Sequence, residues 1–311
     1  MATAQAVQTL SNTMVPLHLS GNMSEIQDRA LQSMLTGAVN DAYRKIVEQL
    51  DQQCAQTVLE SERKLRAELA EMVVAAVERH TFSDKYKDEE VVSNRIYPAS
   101  YHVRPIEAQV TELRKLFPAL GNCNEKLARR KLPEGAEAWF AIPRWQALAP
   151  SYNDAVEMVI NTLASKRRFS NRIVGKLTGQ YLREIDRSRL AQNILCSQQE
   201  GNDILVVGAQ FGLLHRGSSA RRTRIALNGN EFCLGVFAIA CMLLTHPERL
   251  SSSETLMIDC GGDQYSVRGD YTFDRVPLLD CDIGGLEFSI FYEDRARNLW
   301  GTPTAFLYKI V

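Results

Sequence analysis

Between Ile26 and Ala76 the apolar side chains fall mostly at steps of three, four or seven: Ile26, Leu31, Leu35, Val39, Ile46, Leu50, Val58, Leu65, Leu69, Met72, Ala76. That spacing predicts helix, with Ser24 as its cap. Apart from Gly37, no residue from Ser24 to His80 breaks a helix. A continuous helix from Ala38 to His80 would be about 65 Å long, more than a compact domain of this size buries, so it must fold back, pair with a partner or project. Gln53, Cys54 and Thr57 interrupt the heptad, which leaves a coiled coil and a helical hairpin both open. Residues 1–23 carry no periodicity and are expected to be a flexible arm, 24–80 a long helical oligomerisation region, 81–95 a linker and 96–311 an α+β domain.

The pattern changes after the linker. Val91 to Val103 is β-prone around Pro98, Pro105 opens a helix, and Ala138 to Trp145 reads as a strand that Pro143 confines to an edge. Ser151 and Asp154 form a capping box ahead of a helix to about Ser165, and a further helix is expected over Gln180 to Gln199. Ile204 to Val207 is a continuous aliphatic run, which predicts a strand buried on both faces. A helix from Asn228 or Asn230 to Thr245 follows. Leu256 to Asp259, Tyr271 to Phe273, Leu286 to Tyr292 and Ala305 to Ile310 then read as strands. Helices first, mixed elements next and mainly strands last argue for α+β, with a mainly β C-terminal part.

Composition adds limits. An apolar share of 45% and a charged share of 23% are those of a globular chain, and the longest uncharged apolar run, Phe232 to Leu244, is too short to cross a bilayer. No membrane contact is expected. The first residues lack the basic-then-apolar order of a signal peptide, which points to the cytoplasm. Seven widely spaced cysteines with no Cys-x-x-Cys pair signal neither a disulfide framework nor a zinc site, so no metal and no cofactor is expected.

Charge is segregated although the net charge is only -1. Lys166 to Arg224 holds twelve Lys or Arg against four acids, and Glu254 to Asp294 holds ten acids against two arginines. Such a split builds either a phosphate-binding face or two faces that meet each other. The loop after the buried strand concentrates the positive charge. Arg216, Ser218, Ser219, Arg221, Arg222 and Arg224, with Lys166, Arg167 and Arg168 extending the track, are the groups that hold phosphate or nucleic acid. The spacing is neither that of a P-loop nor that of a dinucleotide fingerprint. A solvated basic loop pairing with the acidic C-terminal region is the competing reading.

His215 is the candidate acid or base, with Asp259 or Asp263 as its partner, if the protein is an enzyme on a nucleotide or phosphorylated substrate. Asp259, Asp263, Asp280 and Asp282, two per turn, could together supply oxygen ligands to a divalent metal, but turn formation alone explains them and turn residues are the expectation. Over Leu213 to Ser219 the chain resembles the nicotinamide-binding loop of ADP-ribosyltransferases, without that family's later glutamate context. Trp139, Trp145, Tyr152, Phe169 and Tyr181 lie among basic residues and either stack bases or fill the core. The leading expectation is a non-enzymatic, oligomeric protein that contacts phosphate-rich ligands, nucleic acid above all. A self-assembling structural or inhibitory protein-interaction protein is the alternative.

Overall fold

The computed structural model describes residues 25–47, 50–81, 86–282 and 285–308, in two units that span 1–85 and 86–311. Eight α-helices and two β-sheets form among the described residues, a mixed α/β architecture. None of these helices is long and apolar enough to cross a membrane. The expected arm 1–23, the Ser24 cap and the end of the last strand at Ile310 lie outside the described residues.

The first unit is helical: α1 (Glu25–Val47), α2 (Gln52–Glu60) and α3 (Glu62–Thr81). Asp51 starts α2 afresh, its carboxylate accepting the Cys54 N–H at 2.7 Å, which satisfies an otherwise unpaired donor of the first turn. Ser61 parts α2 from α3, with its N–H shared between the Thr57 and Val58 carbonyls. Arg66 pairs with Glu62 at 2.7 Å on the exposed face of α3. Apolar side chains along the three helices, among them Met34, Tyr43, Ile46, Leu59, Leu65, Leu69 and Met72, are exposed.

The second unit is built around one helix. Its sequence, Val-Phe-Ala-Ile-Ala-Cys-Met-Leu-Leu-Thr, is apolar on every side, and all ten residues of α8 (Val236–Thr245) are buried. A helix of that kind must be enclosed. A four-stranded sheet covers it on one side, in the order β1 (Ala138–Pro143), β4 (Ile204–Gln210), β11 (Thr304–Phe306), β5 (Glu231–Cys233). These strands are antiparallel, with Phe140 opposite Val207 and Ala305 opposite both Ala209 and Phe232. Pro143 ends β1 at the sheet edge, where a missing N–H costs nothing. Every residue of β4 is buried. Helices α4 (Ile106–Leu116) and α5 (Tyr152–Lys166) pack on α8, and Ser151 caps α5 by accepting the Asp154 N–H. His246 closes α8 and is buried as a neutral acceptor: its Nε2 takes the Arg104 N–H at 3.1 Å, and burial pushes its pKa down to about 4.

A seven-stranded sheet shares the same core through Ile258, Tyr265, Leu279 and Phe288. Its spine is the hairpin β8 (Arg275–Asp282) and β9 (Gly285–Tyr292). Along the other edge of β8 lie β6 (Met257–Asp259) and β7 (Asp263–Tyr265), which pair outward with β10 (Trp300–Gly301) and β3 (Leu182–Glu184); β2 (Phe169–Asn171) runs parallel to β9.

Several expected elements differ. The helix read from Gln180 begins only at Asp186, as α6 (Asp186–Gln198), because Glu184 is taken up as strand opposite Asp263. The helix read from Asn228 begins only at Val236, because Glu231 to Cys233 extend onto β11. Asp280 to Asp282 are ladder residues of β8 rather than a turn, and Tyr271 to Phe273 are not strand, Tyr271 having a φ of 63°. Residues 86–95 belong to the second unit, where a short turn of 3-10 helix (Lys87–Glu89) leads into a single bridge between Glu90 and Ser218.

Leu243 is fully buried in α8 and Leu190 is half exposed on α6. Leu243→Ala is expected to cost about 2–5 kcal/mol, against within about 0.5 kcal/mol for Leu190→Ala. Urea unfolding followed by the three tryptophans, all of them in the second unit, reads the difference.

Candidate functional site

Gln210 ends β4, and the basic loop leaves it through two glycines that no other residue could replace. Gly212 has a φ of +116° against the Gly301 carbonyl, and a Cβ on Gly217, at φ +81°, would stand 2.1 Å from the Val91 carbonyl oxygen. The loop is thus pressed onto residues 89–95. Ser219 Oγ caps the short helix α7 (Ala220–Ala226) by accepting the Arg222 N–H at 2.9 Å, and donates its own proton to Glu89 at 2.7 Å. The Arg221 guanidinium pairs with the same Glu89 and lies over the Tyr86 ring at 4.0 Å, and Arg222 pairs with Glu90 at 2.5 Å. Arg224 is the most enclosed. It donates to the carbonyls of Gly261 and Asp263 at 2.8 and 2.9 Å and forms an ion pair with Glu293.

The candidate phosphate track therefore divides. Arg221, Arg222 and Arg224 hold carboxylates of their own chain, and Arg167 donates to the carbonyls of Pro247 and Leu250. Ser218 is tied into the bridge with Glu90, and Ser219 into the cap. Lys166, Arg168 and Arg216 remain exposed and form no ion pair among the described residues; the Arg216 guanidinium donates to the Arg95 carbonyl at 3.2 Å. Sequence reasoning missed Glu89 and Glu90 as the partners, since a charged run ahead of a β-prone stretch reads as solvated.

His215 meets a glutamate rather than an aspartate. Its Nε2 lies 2.7 Å from Glu231 Oε1, and the carboxylate also accepts from Thr304 Oγ1 at 2.5 Å and from the Asn228 N–H. Burial alone would push the Glu231 carboxyl up, but the His215 hydrogen bond and charge, with those further donors, hold it below its ordinary value. The network continues through the sheet face. Gln210 donates to Thr304 Oγ1 and to the Thr302 carbonyl, and Thr302 Oγ1 donates to Asp259 at 2.5 Å. Asp259 is fully enclosed, and burial pushes its pKa up to about 6.

Asp263 belongs to a separate centre. Its carboxylate accepts the Val236 N–H at 2.7 Å and the Tyr152 hydroxyl at 2.9 and 3.0 Å. The three candidate catalytic residues thus serve two different buried networks. Glu231 and Tyr152 carry no sequence signal for these roles, one lying in an Asn-Gly-Asn turn context and the other reading as a helix aromatic. Among the aromatics, Tyr152 and Trp139 are buried, and Trp145 lines a narrow apolar cleft with Phe237, Leu234 and Cys196 that has room for about one water molecule. Among the described residues no three His, Cys, Asp or Glu side chains converge as metal ligands, and all seven cysteines are free thiols.

Glu231→Gln would turn an amide N–H toward groups that already donate, and is expected to cost about 1–3 kcal/mol at neutral pH. A carboxyl held low in the folded state stabilises above its ordinary value of 4.5 and loses that contribution as pH falls through its folded value. The variant and wild type should therefore converge in urea midpoint in acid and separate above it. No family model, curated protein or solved structure matches the chain.

Proposed function

We propose that the protein is a non-enzymatic, self-associating interaction protein whose three helices of the first unit join copies and whose α/β unit is the rigid body the assembly displays. The observation that carries this reading is the exposure of Leu65, Leu69 and Met72 on α3 together with Tyr43 and Ile46 on α1. Five large apolar side chains at helical spacing, left in water, favour a partner that covers them. The folding of the basic loop onto Glu89, Glu90 and Glu293 also supports it, because the loop's charge then holds the second unit together internally. The expected outcome is a discrete oligomer in light scattering of the full chain. Leu65→Glu with Leu69→Glu should convert it to monomer without shifting the tryptophan-detected unfolding of the second unit, and a monomeric wild type would sink the proposal.

One observation favours a second reading, contact with nucleic acid: Lys166, Arg168 and Arg216 are exposed and spend no charge on a described carboxylate. On this reading they touch phosphates as a sequence-independent track. Replacing all three by alanine should reduce the slope of log affinity against log salt by roughly 2 to 3 for duplex DNA, at about 0.9 per phosphate contact. Binding that keeps its slope, or is absent in low salt, removes the reading.

A further inference from the structure

Strand pairing sets two carboxyl groups opposite each other inside the second unit. Glu184 of β3 and Asp263 of β7 are direct partners in an antiparallel ladder, so their side chains leave the same face and neighbour each other. Like charges in that position repel. The surrounding cations are spent elsewhere. Arg224 reaches only the Asp263 backbone carbonyl and gives its ion pair to Glu293, and Arg189 gives its own to Asp186. The other titratable groups facing the pair are Tyr152 from α5, Cys196 from α6 and Cys260 ahead of β7, none of them a cation. Asp263 spends its oxygens on Tyr152 and Val236, whereas Glu184 Oε1 is buried and has no hydrogen-bond partner.

An acceptor-only carboxylate in that position would face another carboxylate across the ladder, with one oxygen unsatisfied. A protonated carboxyl carries no charge and has a hydrogen to give. We propose that the opposed pair Glu184 and Asp263 retains a proton at neutral pH and so forms a pH-sensitive latch on the N-terminus of α8. While the proton is held, Asp263 remains available to cap Val236 and to hold Tyr152. When it is lost to solvent base, two carboxylates oppose each other, β3 is pushed from β7, and the cap of the buried helix loosens. Burial acts in the same direction on both groups, raising Glu184 to about 8 and Asp263 to about 7, with the neighbouring Asp263 charge adding to the effect on Glu184.

The sign of the pH effect is the reverse of ordinary acid unfolding. A carboxyl raised in the folded state contributes stability that is complete below its ordinary value, 4.5 for Glu184, and that is lost as pH rises through about 8. The test is urea unfolding of the full chain between about pH 6.5 and pH 9, with hydrogen-exchange protection of the Val236 amide as the local probe that separates this pair from Asp259 and Asp280, whose carboxyls burial raises to about 6. The wild-type unfolding constant should rise by up to about tenfold per pH unit for one retained proton, and Val236 protection should fall with it. Glu184→Gln, which keeps the shape of the neutral acid, should flatten that dependence and leave the variant more stable than wild type at pH 9. A flat wild-type profile, or a variant that keeps the wild-type slope, overturns the proposal. Should the variant not fold, infrared difference spectra of the wild type decide the matter: a protonated carboxyl band present at pH 6.5 and lost by pH 9 is expected, and its absence at pH 6.5 overturns the proposal.

Discussion

The second unit depends on how the N-terminus of α8 is closed. A helix buried on all sides leaves the first four N–H groups of its backbone without water, and each needs a partner inside the protein. Gly235 precedes Val236, and it has no side chain to cap with; a Cβ there would collide with Tyr152 Oη at 2.6 Å and with both Asp263 carboxylate oxygens at 2.8 Å. The cap is therefore brought from another strand. Asp263 supplies it to Val236 and in the same contact fixes Tyr152 of α5, while its own carbonyl receives Arg224 of α7. One aspartate on the second sheet thereby sets where α8, α5 and α7 stand. The close fit is continued by Gly262, whose N–H donates to the Leu234 carbonyl at 2.9 Å and where any Cβ would meet the Leu234 and Gly235 backbone.

Against that frame, the charge segregation of the sequence acquires a physical meaning. A guanidinium gains most from a carboxylate when both are partly withdrawn from water, because screening is weaker there than on an open surface. Arg224 and Glu293 are both largely covered, and Arg221 shares Glu89 with the Ser219 hydroxyl, so these pairs are worth more than exposed ion pairs of the same geometry. A phosphate group approaching the loop would have to displace a carboxylate that already matches the guanidinium fork. Lys166, Arg168 and Arg216 present no such obstacle.

How much of this could be read from the sequence depends on whether an element declares itself locally. The strand β4 does, as an aliphatic run, and so do the edge position of Pro143 and the Ser151 cap, because each follows from the residue's own backbone preferences. The helical character of Glu25–Val47, Gln52–Glu60 and Glu62–Thr81 shows in the periodicity, although the fresh start at Asp51 does not. Elements that exist only through a distant partner stayed hidden. Glu231 to Cys233 precede the helical run of α8 without a break in hydrophobicity, and only β11, some seventy residues later, makes them strand. Pro277 lies inside β8 and argues against a strand, yet its carbonyl accepts the Cys260 N–H and the ladder continues around it. The site residues follow the same rule. His215 was visible as a histidine beside a glycine-rich loop, but its partner Glu231 and the opposition of Glu184 to Asp263 are products of register, which no local pattern encodes.

The seam between the two sheets explains why such register is held so firmly. Gln210, Thr302, Thr304, Glu231, Thr223 and Asp259 are all buried, and they are joined hand to hand by hydrogen bonds rather than by apolar contact alone. In any seam with one buried face a slip of one residue turns every side chain of the strand to the opposite side, and a polar seam adds a second penalty. Shifting β11 by one residue would point Thr304 away from Glu231 and leave a buried carboxylate without that donor. The second unit thus obtains the volume of its core from α8 and the uniqueness of its strand order from this chain of polar groups. His215 is the member of the chain nearest to solvent, at 12% side-chain exposure. It contacts Glu231 directly and, through Thr304, Gln210 and Thr302, joins a network that ends at Asp259.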